Sequence, residues 1–334
     1  MRIAVTVVGA GSWGTTVGHL CARNGETVLW AREPAVADEV TAAHHNSRYL
    51  GGFDLHPALE ATSDLERAVR RADVLVMGVP SHGFRSTLEA CIPHLRAWVP
   101  VVSLTKGLEQ GSNLRMTQIV QDLLPGHPYG VLTGPNLAKE ILAGDAAAAV
   151  VAMSDATVGR ELQGVFGTSL FRVYRNDDVI GCEVAGALKN VVAIAAGMAD
   201  GLGTGDNTRA MVITRGLSEL SSLGVALGGH ARTFSGLAGM GDLVATCVSP
   251  QSRNRHVGEQ LGRGLTIGQI QAEMRMVAEG VRTARVVHDL ADEYGLDMPI
   301  AEQVYHVCHE GRTAAEAYRG LLPEGRHPLE FDHR

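Results

Sequence analysis

Lys189 stands in "CEVAGALKNVVAIAAGMADG" (182–201), where every side chain from Val184 to Ala199 is small or apolar except Lys189 and Asn190. A lysine there must extend its ammonium to water, find a partner or lose its charge. The ordinary reading is a stem that crosses apolar surface to reach solvent. The chemical reading is a general acid/base. An unperturbed lysine is protonated at neutral pH and is no base. Apolar surroundings and a second nearby cation, Lys106, both favour the neutral amine. In the reverse direction the same ammonium gives its proton to a forming alkoxide and stabilises the charge.

A second chemical pattern lies at the start of the chain. "VVGAGSWG" (7–14) sets Gly9, Gly11 and Gly14 as G-x-G-x-x-G, directly after a predicted strand and at the opening of a predicted helix. A dinucleotide fingerprint requires that context. Gly9 permits the tight turn, Gly11 lets the backbone approach a pyrophosphate, and Gly14 allows close helix–strand contact. The helix start then offers N–H groups and a positive dipole end to the phosphates. A tight turn with no ligand is the alternative. The next strand, "TVLWA" (27–31), ends at Arg32 and Glu33. An acid here holds the ribose 2′-hydroxyl of NAD, whereas an arginine pairs with the 2′-phosphate of NADP. NADP is therefore favoured, and Glu33 keeps NAD open.

Open α/β sheets bind ligands beyond the carboxyl ends of their strands. "GVPSH" (78–82), "SLTKGLE" (103–109) and "LTGPNLAKE" (132–140) fall there. Lys106 follows an apolar strand beside Gly107, so its ammonium can turn toward a ligand. Gly134-Pro135-Asn136 is a turn that exposes backbone N–H groups and the Asn136 amide. Farther on, "SPQSRNRH" (249–256) reads as an anion grip. Ser252, Arg253 and Asn254 offer hydroxyl, guanidinium and amide donors at a predicted helix start, and a phosphate dianion suits all three. A solvated basic loop is the competing reading. Asp242 follows "GLAGMG" and is expected to orient a substrate hydroxyl or Lys189.

The elements that must position these residues come in two textures. Apolar strands are predicted at 2–9, 27–32, 72–80, 99–105, 129–135, 146–153 and 169–175, with helices at 12–25 and 34–46 among them. Such alternation indicates a parallel sheet covered on both faces. After about residue 178 strand signals stop, and helical patterns fill 179–200, 208–223, 256–262, 266–273, 280–294, 299–308 and 313–319. The fold expected is α/β, with a Rossmann-like doubly wound parallel sheet over 1–178 and an all-helical substrate-binding domain over 179–334. The 182–201 helix marks the junction.

Bulk properties narrow the partners. A chain of 334 residues suits two domains, and 45% apolar with 19% charged residues is a globular composition. Forty glycines against fifteen aromatics (six Phe, six Tyr, three Trp) favour close backbone packing and backbone-lined ligand loops. A net charge of −7 argues against nucleic acid or an anionic membrane. Five scattered cysteines, an odd number with no C-x-x-C, suggest free thiols in a reducing compartment. "HVCHE" places His306, Cys308 and His309 on one helix, but no second ligand cluster accompanies it, and no metal site is expected. "MRIAVTVVGAGSWG" runs straight into the glycine motif without a cleavage site. No segment reaches the ~20 uninterrupted apolar residues of a membrane span. The expected location is cytoplasmic.

Several stretches carry a resemblance. "GAGSWGT", "SLTKGLE", "GPNLAKE", "CEVAGALKNVVAIAAGMADGLGTGDNTRA", "GLAGMGDLVATC" and "SPQSRNR" resemble the NAD(P)-dependent glycerol-3-phosphate dehydrogenases of the bacterial type, in order and spacing, over residues 3 to 320. The resemblance implies reversible hydride transfer between NAD(P)H and dihydroxyacetone phosphate, giving sn-glycerol 3-phosphate for glycerophospholipid synthesis. It implies Lys189 as proton acceptor. Lys106, Gly134, Asn136, Lys189, Asp242, Ser252, Arg253 and Asn254 would surround the substrate. Ser12, Trp13, Arg32, Lys106, Ala138 and Arg253 would contact the dinucleotide, joined by Val277 and Glu279 from "RMVAEGV". A homodimer is the expected assembly. Departures are small: Leu137 stands where the family often has phenylalanine, and Asn136 where serine or threonine is also common.

The nearest rival is a lysine-dependent β-hydroxyacid or 6-phosphogluconate-type dehydrogenase. It needs a carboxylate-binding set near the lysine, whereas "SRNR" suits a terminal phosphate. A non-catalytic NADP-binding sensor is the rival of a different class.

Overall fold

A computed structural model describes residues 3–274 and 278–320. The chain groups into two compact units, Met1–Lys106 with Leu114–Cys182, and Gly107–Asn113 with Glu183 onward.

The first unit is built on eight strands: β1 (Val5–Val8), β2 (Thr27–Trp30), β3 (Leu59–Thr62), β4 (Val74–Met77), β5 (Val101–Ser103), β6 (Tyr129–Thr133), β7 (Ala147–Met153) and β8 (Phe171–Asn176). They form one sheet in the order β3-β2-β1-β4-β5-β6-β7-β8. Strand side chains alternate between faces. Val5 and Val7 of β1, with Val74 and Val76 of β4, enter one apolar core. Val8, Leu75 and Met77 enter the other. Both faces are covered, which is why these strands read as unbroken apolar runs.

Two features depart from the sequence reading. One is β3, which lies in "HPALEATSDLERAVR" (56–70), a stretch rich in helix formers. Leu59 nevertheless pairs with Thr27 and Thr62 with Trp30 in parallel register, and tertiary pairing outweighs local propensity. The sheet is also not wholly parallel: β6 and β7 run antiparallel, with Val131 opposite Ala152. A parallel return needs a substantial crossover, usually a full helix. Residues 134–146 carry only the short helix Ala138–Ala143, closed by Gly144 in the left-handed region at φ 89°.

The second unit is helical. Its central helix, Val179–Gly201, whose first turn falls in the first unit, is long and apolar enough to cross a membrane, but 94% of its most apolar window is buried in the protein. A helix apolar all round is a core helix. Helix Arg253–Gly262 lies against it at backbone distance. A Cβ on Gly258 would stand 2.0 Å from the Ile194 carbonyl oxygen, and one on Gly197 would stand 2.0 Å from that of Arg255. Glycine at these crossings lets two backbones touch.

Candidate active site

β1 is flanked by β2 on one side and β4 on the other. The strand order therefore reverses at β1, and ligands of open sheets bind at such a switch point. The glycine turn sits at its carboxyl end. Gly9 has φ +117°, and a Cβ there would stand 2.6 Å from the Gly78 carbonyl oxygen. A Cβ on Gly14 would meet the Gly9 carbonyl oxygen at 2.0 Å, whereas around Gly11 there is open space within 4 Å. Gly11 caps helix Ser12–Cys21 with no side-chain hydrogen bond. Helix starts without a side-chain cap present N–H groups to an anion.

Beyond β4 in the sheet, the next candidates follow β5 and β6. Lys106 Nζ donates to the Gly134 carbonyl oxygen at 2.8 Å, and Gly134 takes φ +128°. Asn136 follows in the same turn. Among the described residues its Nδ2 and Oδ1 are both buried without a hydrogen-bond partner, as is Trp13 Nε1. Buried orphan polar groups are uncommon and leave hydrogen bonds that another group can complete. The open cradle at Gly11 and these orphan groups fit a dinucleotide and a polar substrate. Ala138 opens the following helix, and Arg32, just past β2, is exposed.

In the second unit the question raised by Lys189 has a geometric answer. Lys189 is 5% exposed and does not reach solvent. Its Nζ donates to Asp242 Oδ1 at 2.5 Å and to Thr246 Oγ1 at 2.5 Å. The Thr246 hydroxyl in turn donates to the Asp242 carbonyl oxygen at 2.7 Å. The apolar run thus surrounds an ion pair rather than a bare amine. An ammonium has three N–H donors, so two are fixed and one is left over. Asp242 is 1% exposed and opens helix Asp242–Val248, directly after a π-helical turn over Leu237–Gly241. Glycines make that turn possible: a Cβ on Gly239 would stand 2.1 Å from the Phe234 carbonyl oxygen.

Ser252, Arg253 and Asn254 do begin a helix. Ser252 Oγ accepts from Arg255 N–H at 3.2 Å as the cap of Arg253–Gly262, which leaves its hydroxyl proton available to a ligand. Asn254 is more engaged than the sequence indicated. Its Nδ2 donates to Asn190 Oδ1 at 2.8 Å, and its Oδ1 accepts from Gly280 N–H at 3.0 Å. Asn190, next to Lys189, is thereby bonded to the start of helix Arg253–Gly262. Glu279 begins helix Glu279–Tyr294, and Val277 lies outside the described residues. Arg253 is exposed, yet lost solvation pulls its guanidinium below the usual arginine value, against the opposing pull of Glu279. Arg255 points elsewhere: it and Arg209 clamp the Asp200 carboxylate at 2.8 Å each.

The sequence reading missed Thr246, the Asn190–Asn254 bond and the Asp200 clamp. Thr246 had a signal, since it stands one turn after Asp242 on a helix and so shares its face. The other two join elements far apart in the chain. Among the described residues no group of three or more His, Cys, Asp or Glu is placed to hold a metal ion.

Comparison with known proteins agrees with this assembly of parts. The model of the NAD-dependent glycerol-3-phosphate dehydrogenase N-terminus matches residues 4–159, and that of the C-terminus matches residues 178–319. The chain is 58% identical to glycerol-3-phosphate dehydrogenase [NAD(P)+] 2 of Sphingopyxis alaskensis, over 96% of this chain and 97% of that one. It is 57% identical to glycerol-3-phosphate dehydrogenase [NAD(P)+] of Mycobacterium avium, over 96% and 94%. The crystal structure of glycerol-3-phosphate dehydrogenase from Coxiella burnetii is similar at a TM-score of 0.92 with 36% identity, over 96% of this chain and 99% of that one. Cofactor turn, buried lysine pair and both family matches converge, and the chain belongs to the NAD-dependent glycerol-3-phosphate dehydrogenase family.

Proposed function

We propose that this chain interconverts dihydroxyacetone phosphate and sn-glycerol 3-phosphate with NADP or NAD, and so supplies glycerophospholipid synthesis. The observation that carries the reading is the buried Lys189 ammonium, held by Asp242 and Thr246 with one N–H to spare. A bound nicotinamide dinucleotide supplies or accepts the hydride at the substrate's central carbon. Lys189 Nζ gives its spare proton to the carbonyl oxygen as that oxygen gains charge, and takes it back in oxidation. Asp242 fixes the ammonium's direction. Ser252 and Arg253 hold the terminal phosphate through hydroxyl and guanidinium, and Asn254 ties that grip to the lysine's helix through Asn190. Lys106, Gly134 and Asn136 supply the remaining polar contacts, and Ser12, Trp13, Ala138 and Glu279 those to the dinucleotide. Reduction of dihydroxyacetone phosphate by purified protein, followed with NADPH and NADH in parallel, tests this. Turnover of β-hydroxyacids or 6-phosphogluconate, with none of dihydroxyacetone phosphate, sinks it.

A homodimer is part of the same reading. Val244 and Val248, 41% and 51% exposed, stand one turn apart on helix Asp242–Val248 and so share an apolar face, and Met240, 43% exposed, lies in the turn just before it. Sedimentation of the wild-type chain and of Val244→Glu decides it, and a monomeric wild type at micromolar concentration overturns it. Five buried free cysteines suit a reducing cytoplasm.

A further inference from the structure

Glu33 occupies the position after β2 where an acid selects NAD, yet its carboxylate is already engaged. Arg48 Nη1, on the short helix Ser47–Leu50, forms an ion pair with Glu33 Oε2. That helix is fixed against the dinucleotide turn rather than loosely placed. Buried Asn46 donates from Nδ2 to the Ala10 carbonyl oxygen at 3.0 Å and to Thr15 Oγ1 at 2.9 Å. Ser12 Oγ donates to the Tyr49 carbonyl oxygen at 3.1 Å. Among the described residues Arg48 Nε and Nη2 have no hydrogen-bond partner, and neither does Arg32, the exposed neighbour of Glu33.

We infer that Arg48 is a specificity-determining residue: it withholds Glu33 from a ribose hydroxyl and joins Arg32 in binding a 2′-phosphate. A guanidinium presents a planar fork, so one edge can stay on the carboxylate while the other meets a phosphate. Arg32, Arg48 and Glu33 together carry one net positive charge, which favours a dianion over a neutral hydroxyl. The Arg48 side chain is 53% exposed while it holds Glu33, so a phosphate can reach its guanidinium with the ion pair kept. The inference rests on the glycine turn as the dinucleotide site, and its test is separate from turnover.

Calorimetry on the full chain compares adenosine 2′,5′-bisphosphate with AMP, and fluorescence titration compares NADPH with NADH. Arg48→Ala is expected to weaken the two 2′-phosphorylated ligands about 10- to 100-fold, the loss of one charge-assisted contact. AMP is expected within about 2-fold of wild type, and NADH equal or tighter as Glu33 is released. Adding Glu33→Gln to Arg48→Ala should abolish any gain in NADH binding. An equal loss for NADPH and NADH, or no loss for either, overturns the inference. Failure to reduce dihydroxyacetone phosphate alongside a selective loss at Arg48→Ala removes the proposed reaction and leaves this inference standing.

Discussion

Lys189 Nζ and Asp242 Oδ1 lie 2.5 Å apart with side chains 6% and 1% exposed, so the chain keeps a full ion pair inside its helical unit. Two charges taken out of water gain little net stability, but each depends on the other. Lys189→Ala should lower kcat by about 10²- to 10⁴-fold, the range for a general acid/base, with NADPH affinity kept. It should also cost about 3–5 kcal/mol of unfolding free energy, because a buried ion pair loses one of its two partners. Lys189→Ala combined with Asp242→Asn should recover part of that stability and none of the turnover. Urea unfolding of the set measures it, and purely additive losses contradict the pairing.

Asn136 calls for the opposite stability result. Its amide atoms are buried without partners among the described residues, and removing unsatisfied groups is close to neutral or stabilising. Asn136→Ala should leave the melting temperature unchanged or slightly higher while raising KM for dihydroxyacetone phosphate. A marked drop in stability with KM unchanged assigns the residue to the scaffold instead.

Two glycine substitutions separate helix propensity from packing. Gly164 lies inside helix Ala156–Phe166, and a Cβ added there would meet nothing within 4 Å. Gly164→Ala should therefore stabilise by roughly 0.5–1 kcal/mol. Gly258→Ala places a methyl 2.0 Å from the Ile194 carbonyl oxygen and should destabilise by about 1–3 kcal/mol as the helices separate. Because that crossing sets Ser252 and Arg253 relative to Lys189, KM for dihydroxyacetone phosphate should rise more than KM for NADPH. The same sign for both substitutions would falsify the backbone-contact account.

Glu219 makes stability depend on pH. Its carboxylate is buried and accepts from Ile300 N–H at 2.8 Å and Ala301 N–H at 3.0 Å, at the start of helix Pro299–His309. Burial pushes its pKa up to about 7, with those two N–H groups and Arg215 pulling the other way. A carboxyl with a raised folded-state pKa binds its proton more tightly when folded. Its contribution is therefore fully present below the unfolded carboxylate value and is lost as pH rises through about 7. Unfolding free energy should fall by roughly 2–4 kcal/mol between pH 4.5 and 8 from this group. Glu219→Gln should remove that slope. His19 acts in the opposite direction: burial, with Arg23 and His56, lowers its pKa to about 4. Its neutral form is favoured in the fold, and stability is lost as pH falls below the ordinary histidine range. The wild-type minus Glu219→Gln difference isolates the Glu219 part.

The sequence by itself determined whatever depends on local spacing. Gly9 and Gly14 after an apolar strand define a tight turn, because a Cβ at either would strike the backbone beside it. Unbroken apolar strands define a sheet covered on both faces, and Ser252 at a helix cap follows from its side chain's capacity to accept a backbone N–H. The tertiary structure decided what depends on residues distant in the chain. Leu59–Thr62 became a strand because β2 offered an unpaired edge, although its residues favour a helix. Residues 134–146 turned β7 antiparallel because their helix is short. Lys189 could be singled out from composition alone, but its partner lies 53 positions away. A side chain's charge state follows from the groups that surround it in space, and neither spacing nor hydropathy records that Asp242 and Thr246 meet this ammonium.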